Sequence, residues 1–137
     1  MKVKIGRNLD DLSLLVNLLK GSSDEVGAIA IFIGVVRGRS GGRKVLRLDY
    51  EAHEKLAPKV LNELLEEVKR KHKLIDVIAE HRTGSVPVGG DIMYILVASK
   101  HRKEAYKALI ELVDRIKHEV PIWKKELVEG SRGDYRF

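Results

Sequence analysis

Residues 91–128 read DIMYILVASKHRKEAYKALIELVDRIKHEVPIWKKELV, and this stretch decides the class of fold. Its first part, residues 91–99, is an apolar run that predicts a strand. Residues 102–118 then carry apolar side chains at the spacing of one helix face. Pro121 prevents simple continuation of that helix, and residues 122–128 are predicted as a final strand. Strand, helix and strand in succession, on a chain of 137 residues, favour one α+β domain.

The rest of the chain extends the same pattern. Two further helices are predicted, at residues 9–20 and 55–72, and four further strands, at residues 2–5, 28–36, 44–51 and 75–82. The glycine-containing segments 37–43 and 83–90 are predicted as a flexible loop and as a loop or hairpin. We therefore expect three helices on a mixed or largely antiparallel sheet, in a single domain over residues 1–128. The polar tail, residues 129–137, is expected to be mobile until something binds.

Composition excludes several classes of protein. The chain has no cysteine, which excludes disulfides, thiolate metal sites and a nucleophilic thiol on this chain. Its longest apolar run, residues 27–36, is too short to span a bilayer, and the N-terminus has no signal-peptide core, so we expect a cytoplasmic protein. The histidines lack the short paired spacing of a metal site. The net charge of +6 favours anionic partners such as phosphorylated metabolites, nucleic acid or an acidic protein surface.

Three places in the sequence combine positive charge with a local structure that suits an anion. Arg37 opens a glycine-rich loop, where backbone N–H groups and the guanidinium fork can approach phosphate. His101 and Arg102 stand at the start of a helix, where free N–H groups favour anions. Lys117 lies in the last turn of that helix and Lys124 lies on the next strand. A lysine beside other cations can act as acid, base or charge stabiliser. An ordinary exposed loop, a solvated helix cap and two solvated lysines remain the alternatives.

Five segments in a fixed order resemble the molybdopterin synthase large-subunit family. They are IFIGVVR at residues 31–37, LDYEAH at 48–53, HRTG at 81–84, VASKHR at 97–102 and VPIWKKE at 120–126. Each segment is short, but the ordered set covers roughly residues 27–128 and ends in the specific sequence Pro-Ile-Trp-Lys-Lys-Glu. The resemblance implies a fold of the α/β-hammerhead type and a homodimer.

The resemblance also implies a function. A small ubiquitin-like subunit would dock on each protomer, giving a heterotetramer, and its C-terminal Gly-Gly thiocarboxylate would enter a pocket of this chain. The substrate would be cyclic pyranopterin monophosphate, and two transferred sulfurs would make the dithiolene of molybdopterin. The chain would be the catalytic subunit of this sulfurtransferase, with no metal or other cofactor in the step. The missing cysteine is consistent with this function, because the partner carries the sulfur.

By position, the resemblance assigns roles to two sets of residues. Lys117 and Lys124 would be the catalytic lysines. The substrate would be bound by the second set: Phe32, Arg37, His101, Arg102, Lys125 and Glu126. Fixed lysine and arginine side chains would stabilise the negative charge of the phosphate, of the carboxylate and of any tetrahedral intermediate.

Other positions are interpreted with these assignments in view. The family often has tyrosine where this chain has His53, so no role is assigned to that residue. Other members place a basic tail residue over the site, for which Arg132 and Arg136 are the candidates here. The pair His81 and Arg82 is interpreted as structural, because a Thr-Gly turn follows it directly.

The length of the last helix adds an inference about assembly. His101 and Lys117 are sixteen positions apart, which is about 24 Å along a straight helix at about 1.5 Å per residue. A pterin monophosphate cannot easily bridge that distance within one protomer. We therefore expect a composite site, with Lys117 and Lys124 from one subunit and His101 and Arg102 from its dimer mate.

Two functions of other classes stay open on the sequence. A small basic α+β domain could bind RNA or a nucleotide without catalysis, although such modules stack bases on exposed aromatic side chains and only 5% of this chain is aromatic. The chain could also be an adaptor that only binds a ubiquitin-like protein. The resemblance favours the enzyme, and we expect neither nucleic acid nor a membrane as its partner.

Overall fold

The computed structural model describes residues 1–130 and, as a strand, the backbone of residues 134–136. This part of the chain forms nine strands and three helices. In chain order they are β1 (Lys2–Gly6), α1 (Leu12–Lys20), β2 (Ala28–Val35), β3 (Arg39–Ser40), β4 (Arg43–Ala52), α2 (Leu56–Lys71), β5 (Asp76–Arg82), β6 (Gly84–Pro87), β7 (Asp91–Ser99), α3 (Arg102–Glu119), β8 (Ile122–Val128) and β9 (Asp134–Arg136). The predicted α+β class with three helices is confirmed.

Two sheets organise these elements. The first has the strand order β1-β5-β7-β2, in which β1 and β5 run parallel and the other neighbours run antiparallel. In the second, β4 pairs with β3, β6 and β8, and β8 pairs with β9, all antiparallel. The predicted mixed and largely antiparallel arrangement is therefore confirmed, but it is divided between two sheets.

The helices cover the two faces of the first sheet. α2 and α3 pack against each other and against one face, where buried side chains such as Leu65, Ile95 and Leu112 form the main core. α1 covers part of the opposite face, where Leu15 and Leu19 are almost completely buried against β5 and β7. Burial of these apolar stripes holds the helices to the sheet.

The start of α1 and the segment after β2 differ from the sequence prediction. α1 begins at Leu12 and not at residue 9, because the Asp11 carboxylate accepts hydrogen bonds from two backbone N–H groups and caps the helix there. The segment 37–43 contains a tight hairpin and not only a flexible loop. β3 turns into β4 through Gly41 and Gly42, whose φ angles of 57° and 79° suit such a turn.

The connection between β5 and β7 links the two sheets. The sequence predicts a loop or hairpin over residues 83–90, and β5 and β7 are indeed antiparallel neighbours. Residues 84–87, however, leave the first sheet and form β6, which pairs with β4 of the second sheet. Val86 of this strand is fully buried in the core of the second sheet, so the link is anchored by packing.

The tail is described only in part. Residues 134–136 pair with β8 as β9, a strand that the sequence did not predict. Residues 131–133 and 137 lie outside the described residues, and so do Arg132 and the side chain of Arg136. The expected mobility of residues 129–137 and the domain boundary after residue 128 stay predictions. Within the described residues, no helix has the length and apolar character needed to cross a membrane.

Candidate active site

A cavity of about 420 Å³ lies between β2, β7 and α3 on one side and β4 and β8 on the other. Most of its wall is apolar and includes the side chains of Phe32, Ile33, Ile92, Met93, Val113, Ile116 and Ile122. Three cationic side chains also line it: Arg37, Lys117 and Lys124. Positive charge beside an apolar wall suits a ligand that combines an anionic group with an apolar or flat body.

Lys117 and Lys124 approach this cavity from two adjoining elements. Lys117 lies in the last turn of α3, and Lys124 lies in β8. The link between them is fixed, because Val120 is buried and the Pro121 carbonyl accepts a hydrogen bond of 3.1 Å from the His53 N–H. The chain turns at the proline, which cannot continue the helix, and both lysines therefore line the same cavity.

Arg37 lies two residues after the end of β2, and its neighbours in sequence are held by backbone hydrogen bonds on both sides. The N–H and carbonyl groups of Val36 bond to the turn at residues 89–90, at 3.0 and 2.9 Å. The Gly38 carbonyl accepts a hydrogen bond of 3.0 Å from the Val45 N–H. A residue between two such anchors has little backbone freedom, so the guanidinium group starts from a fixed point at the cavity wall.

A second cavity, of about 80 Å³, shares Arg37 and Lys124 with the first. Arg39 and Glu126 also line it. Glu126 therefore lies among cations, on the same face of β8 as Lys124, because alternate residues of a strand share a face. Burial raises the pKa of Tyr50 to about 12, and the nearby Glu126 carboxylate adds to this increase. The Tyr50 hydroxyl thus stays protonated at neutral pH.

The structure does not bring Lys125 to the cavity of Lys117 and Lys124. Lys125 lies on the other face of β8 and lines an open groove of about 570 Å³ together with Asp49 and Ser85. A hydrogen bond of 2.6 Å from the Ser85 hydroxyl lowers the pKa of the Asp49 carboxyl group. Adjacent positions in a strand point to opposite sides, which separates two lysines that are neighbours in sequence.

His101 and Arg102 are exposed at the N-terminal end of α3 and line none of these three cavities. Lys117 lies near the opposite end of the same helix. α3 has 18 residues, a length of about 27 Å. Within one protomer, α3 therefore separates His101 and Arg102 at its start from Lys117 near its end by most of its length.

Tyr50 and His81 line the cavity but are not among the predicted site residues. Their rings meet edge to face, with centroids 5.1 Å apart. The Thr-Gly turn after His81 favoured a structural interpretation, although a histidine at the end of an apolar strand is itself a signal of a polar cavity. His53 has a different role: its Nδ1 accepts a hydrogen bond of 3.0 Å from the Leu56 N–H at the start of α2.

Fold and cavity together define the class of protein. The chain is a small α+β domain with a cavity whose largely apolar wall also carries three cations, and such a cavity suits an anionic organic ligand. Within the part of the chain that the structure describes, no group of three or more His, Cys, Asp or Glu side chains is placed to hold a metal ion. The cations that line the cavity are Arg37, Lys117 and Lys124, and the chain has no cysteine.

Comparison with known proteins places the chain within one family. The MoaE protein family model matches residues 7–119. The molybdopterin synthase catalytic subunit of Pyrococcus abyssi is 34% identical to this chain, and the match covers 96% of this chain and 93% of the relative. The chain therefore belongs to the MoaE family.

Two solved structures of related proteins have the same fold. Molybdopterin synthase from Staphylococcus aureus superposes with a TM-score of 0.88 at 31% identity, covering 98% of this chain and 96% of that chain. A complex of subunits 1 and 2 of the molybdopterin-converting factor from Helicobacter pylori contains a chain that superposes with a TM-score of 0.73 at 25% identity, covering 97% of this chain and 88% of that one. The resemblance identified from the five sequence segments is thereby confirmed.

Proposed function

We propose that this chain is the catalytic subunit of a molybdopterin synthase, a sulfur-transferring enzyme of molybdenum cofactor biosynthesis. The observation that carries the proposal is the presence of Arg37, Lys117 and Lys124 at one cavity in a chain of the MoaE family that has no cysteine. A protein that moves sulfur without a thiol of its own needs a partner to bring the sulfur. It also needs a positively charged site where the sulfur can be transferred.

The proposed substrate is cyclic pyranopterin monophosphate, and both kinds of cavity wall suit it. Arg37 and Lys124 can pair with the phosphate, because guanidinium and ammonium groups form strong charge-assisted hydrogen bonds with phosphate oxygens. Phe32 and Met93 offer an aromatic and a polarizable surface to the ring system. Lys125 and Glu126 flank this site in sequence, and the side chain that lies beside Lys124 is that of Glu126.

The proposed sulfur donor is the C-terminal thiocarboxylate of a small ubiquitin-like subunit. Its sulfur is already nucleophilic and can attack a side-chain carbon of the pterin precursor without a thiol from this chain. The C–S bond forms as the bond from that carbon to an oxygen atom breaks, and the departing oxygen takes up a proton. Hydrolysis of the resulting thioester leaves the sulfur on the pterin and releases the small subunit as a carboxylate. The ammonium groups of Lys117 and Lys124 would stabilise the tetrahedral oxyanion and the carboxylate, and either could donate a proton to a departing oxygen.

The proposed assembly is a homodimer that carries two small subunits, a heterotetramer. The Helicobacter pylori complex holds two different subunits together, which supports a small-subunit partner for this chain. In the dimer, His101 and Arg102 of one protomer would complete the site that holds Lys117 and Lys124 of the other. The cytoplasmic location expected from the sequence stays a prediction.

Turnover by the full chain tests this function. The chain is incubated with the thiocarboxylated small subunit and the pterin precursor, and the dithiolene product is measured. Lys117→Ala and Lys124→Ala are expected to lower turnover by about 10²- to 10³-fold, because each removes a preorganised charge, while the small subunit still binds. Lys107→Ala is the matched control, since Lys107 is exposed on the same helix and outside the cavity. Absence of turnover by the wild-type chain would refute the proposal and favour an adaptor or an RNA-binding module.

Mixing Lys124→Ala with Arg102→Ala, which is also expected to lose turnover if Arg102 binds the substrate, extends the same experiment to the composite site. In a dimer of one Lys124→Ala chain and one Arg102→Ala chain, one of the two sites keeps both wild-type residues if they come from different protomers. Recovery of up to about a quarter of the wild-type turnover is then expected after random exchange of protomers. No recovery would mean that both residues act from the same chain.

A further inference from the structure

His81 is a buried ionisable side chain that the proposed mechanism does not use. It lies near the end of β5 with 8% of its surface exposed, and it lines the same cavity as Lys117 and Lys124. Its ring packs edge to face against the ring of Tyr50. A histidine in a cavity wall can bind a ligand or support the fold, and its hydrogen bonds distinguish these roles.

The hydrogen bond of one ring nitrogen fixes the tautomer of His81. Its Nδ1 lies 2.7 Å from the carbonyl oxygen of Arg82. A carbonyl oxygen can only accept, so Nδ1 carries the hydrogen and Nε2 of the neutral ring keeps a free lone pair. Within residues 1–130, Nε2 of His81 has no hydrogen-bond partner. Part of its surface is nevertheless exposed. The Nε2 atom is therefore not fully enclosed, and the ring that carries it lines the cavity.

The surroundings of His81 favour the neutral ring. Burial lowers the pKa of His81 below its ordinary value, and the hydrogen bond to the Arg82 carbonyl opposes this only in part. Three cationic side chains, Arg37, Lys117 and Lys124, line the same cavity as this ring. Beside three cations, the cavity therefore contains a neutral hydrogen-bond acceptor.

We propose that Nε2 of His81 accepts a hydrogen bond from an N–H group of the pterin ring and so sets the orientation of the substrate in the cavity. This role rests on the proposed function and adds a specificity-determining residue to it. The cations match the phosphate, whereas a neutral acceptor matches the uncharged N–H edge of the heterocycle. A site that accepts a particular hydrogen bond discriminates strongly against analogues that lack the donor.

The walls beside His81 favour the pterin over the other reactant, the Gly-Gly tail of the small subunit. Phe32, Tyr50 and Met93 present aromatic and apolar surfaces in the same cavity. A flat ring can pack against such surfaces, whereas two glycines have no side chains with which to use them. Both reactants carry N–H groups, so the experiment has to separate them.

Two substitutions separate a ligand role of His81 from a structural role. In His81→Asn, the amide nitrogen replaces Nδ1 and can still donate to the Arg82 carbonyl, but the acceptor at the Nε2 position is lost. In His81→Gln, the amide oxygen reaches the Nε2 position, while the bond to Arg82 is lost. We expect the affinity for the pterin precursor to fall about tenfold in the Asn variant, the loss of one hydrogen bond, and to be largely retained in the Gln variant. Wild-type affinity in the Asn variant would overturn the proposal.

Affinity is measured calorimetrically on the full chain assembled with a small subunit that ends in an ordinary carboxylate, so that no sulfur is transferred. The affinity for the small subunit is expected to be unchanged in His81→Asn. If that affinity falls and precursor binding does not, His81 contacts the tail and the proposal is wrong. Turnover with the thiocarboxylated small subunit is measured in parallel. Its absence in the wild type would contradict the proposed function, whereas normal turnover with normal precursor binding in the Asn variant contradicts only the role of His81.

A measurement on the wild-type chain covers the case in which neither variant folds. With nitrogen-15 histidine, NMR reports which ring nitrogen carries the hydrogen. We expect His81 to be the Nδ1–H tautomer, and its Nε2 resonance to move upfield when the precursor binds but not when the small subunit binds alone. A hydrogen on Nε2 in the free protein, or no response to the precursor, would overturn the proposal.

Discussion

Replacing Lys2 by methionine is expected to destabilise the fold by about 3 kcal/mol. The Lys2 ammonium bonds to the carboxylates of Asp10 and Glu80, and Glu80 is fully buried. The other carboxylate oxygen of Glu80 accepts a hydrogen bond of 2.8 Å from the Asp10 backbone N–H. In Lys2→Met, the buried Glu80 carboxylate still accepts the hydrogen bond from the Asp10 N–H group, but it loses its ammonium partner.

The magnitude follows from the burial of Glu80. Removal of one partner from a buried ion pair costs about 3–5 kcal/mol, because the other charge remains uncompensated. The Lys2 side chain is 34% exposed, so water reaches its end of the pair and the lower end of this range applies. The midpoint of thermal unfolding, Tm, of a chain of this size falls by about 3 °C per kcal/mol, which corresponds to about 10 °C.

Lys4→Met is the matched control. Lys4 lies two residues further along β1, on the same face, and its ammonium bonds to Asp10 at 2.8 Å. Both of these side chains are about one third exposed, at 35% and 36%, and exposed pairs contribute little. Scanning calorimetry at pH 7 is expected to show less than about a third of the decrease in Tm that Lys2→Met causes. Equal decreases would refute the reasoning that the burial of Glu80 sets the cost.

Two further predictions concern the stability of the fold and its response to acid. In Gly27→Ala, the new Cβ would lie 2.1 Å from the Lys100 carbonyl oxygen, so we expect a loss of about 1–3 kcal/mol or more in denaturant unfolding; an unchanged midpoint would contradict this. The Lys71 ammonium and the His72 ring lower the pKa of Glu111 to about 2. The contribution of ionised Glu111 to the stability of the fold is complete above pH 4.5, the ordinary pKa of a glutamate side chain. It is lost as the pH falls through about 2. Glu111→Gln is therefore expected to have a lower Tm than wild type at pH 7 and a similar Tm near pH 2, whereas a constant difference would argue against this linkage.

The main elements could be predicted because their signals are local. The helix predicted over residues 102–118 is observed as Arg102–Glu119, since the apolar spacing and Pro121 both act within the segment itself. β6 could not be predicted in this way. It exists because residues 84–87 find partners in β4, far earlier in the chain, and no local pattern reveals a partner at that distance.

The candidate site shows the same division between local and distant causes. The positive residues Arg37, Lys117 and Lys124 could be selected from charge and position, and packing brings them to one cavity. The sequence shows that His81 lies near the end of an apolar strand, but it does not show the contact of its ring with Tyr50 of the other sheet. The sequence indicates a turn after His81, but it does not indicate that the ring of Tyr50 packs against the ring of His81.

α3 gives the proposed dimer a fixed geometry. Its buried stripe of Ala105, Ala108, Leu112 and Ile116 holds it against the sheet, and a packed helix cannot change its length. The distance between the cations at its two ends is therefore constant. In the proposed dimer each α3 takes part in two sites, with Lys117 in one and Arg102 in the other. A shift of one α3 along its sheet would then impair both sites, whereas loss of Arg37 from one chain would impair only the site to which that chain contributes its lysines.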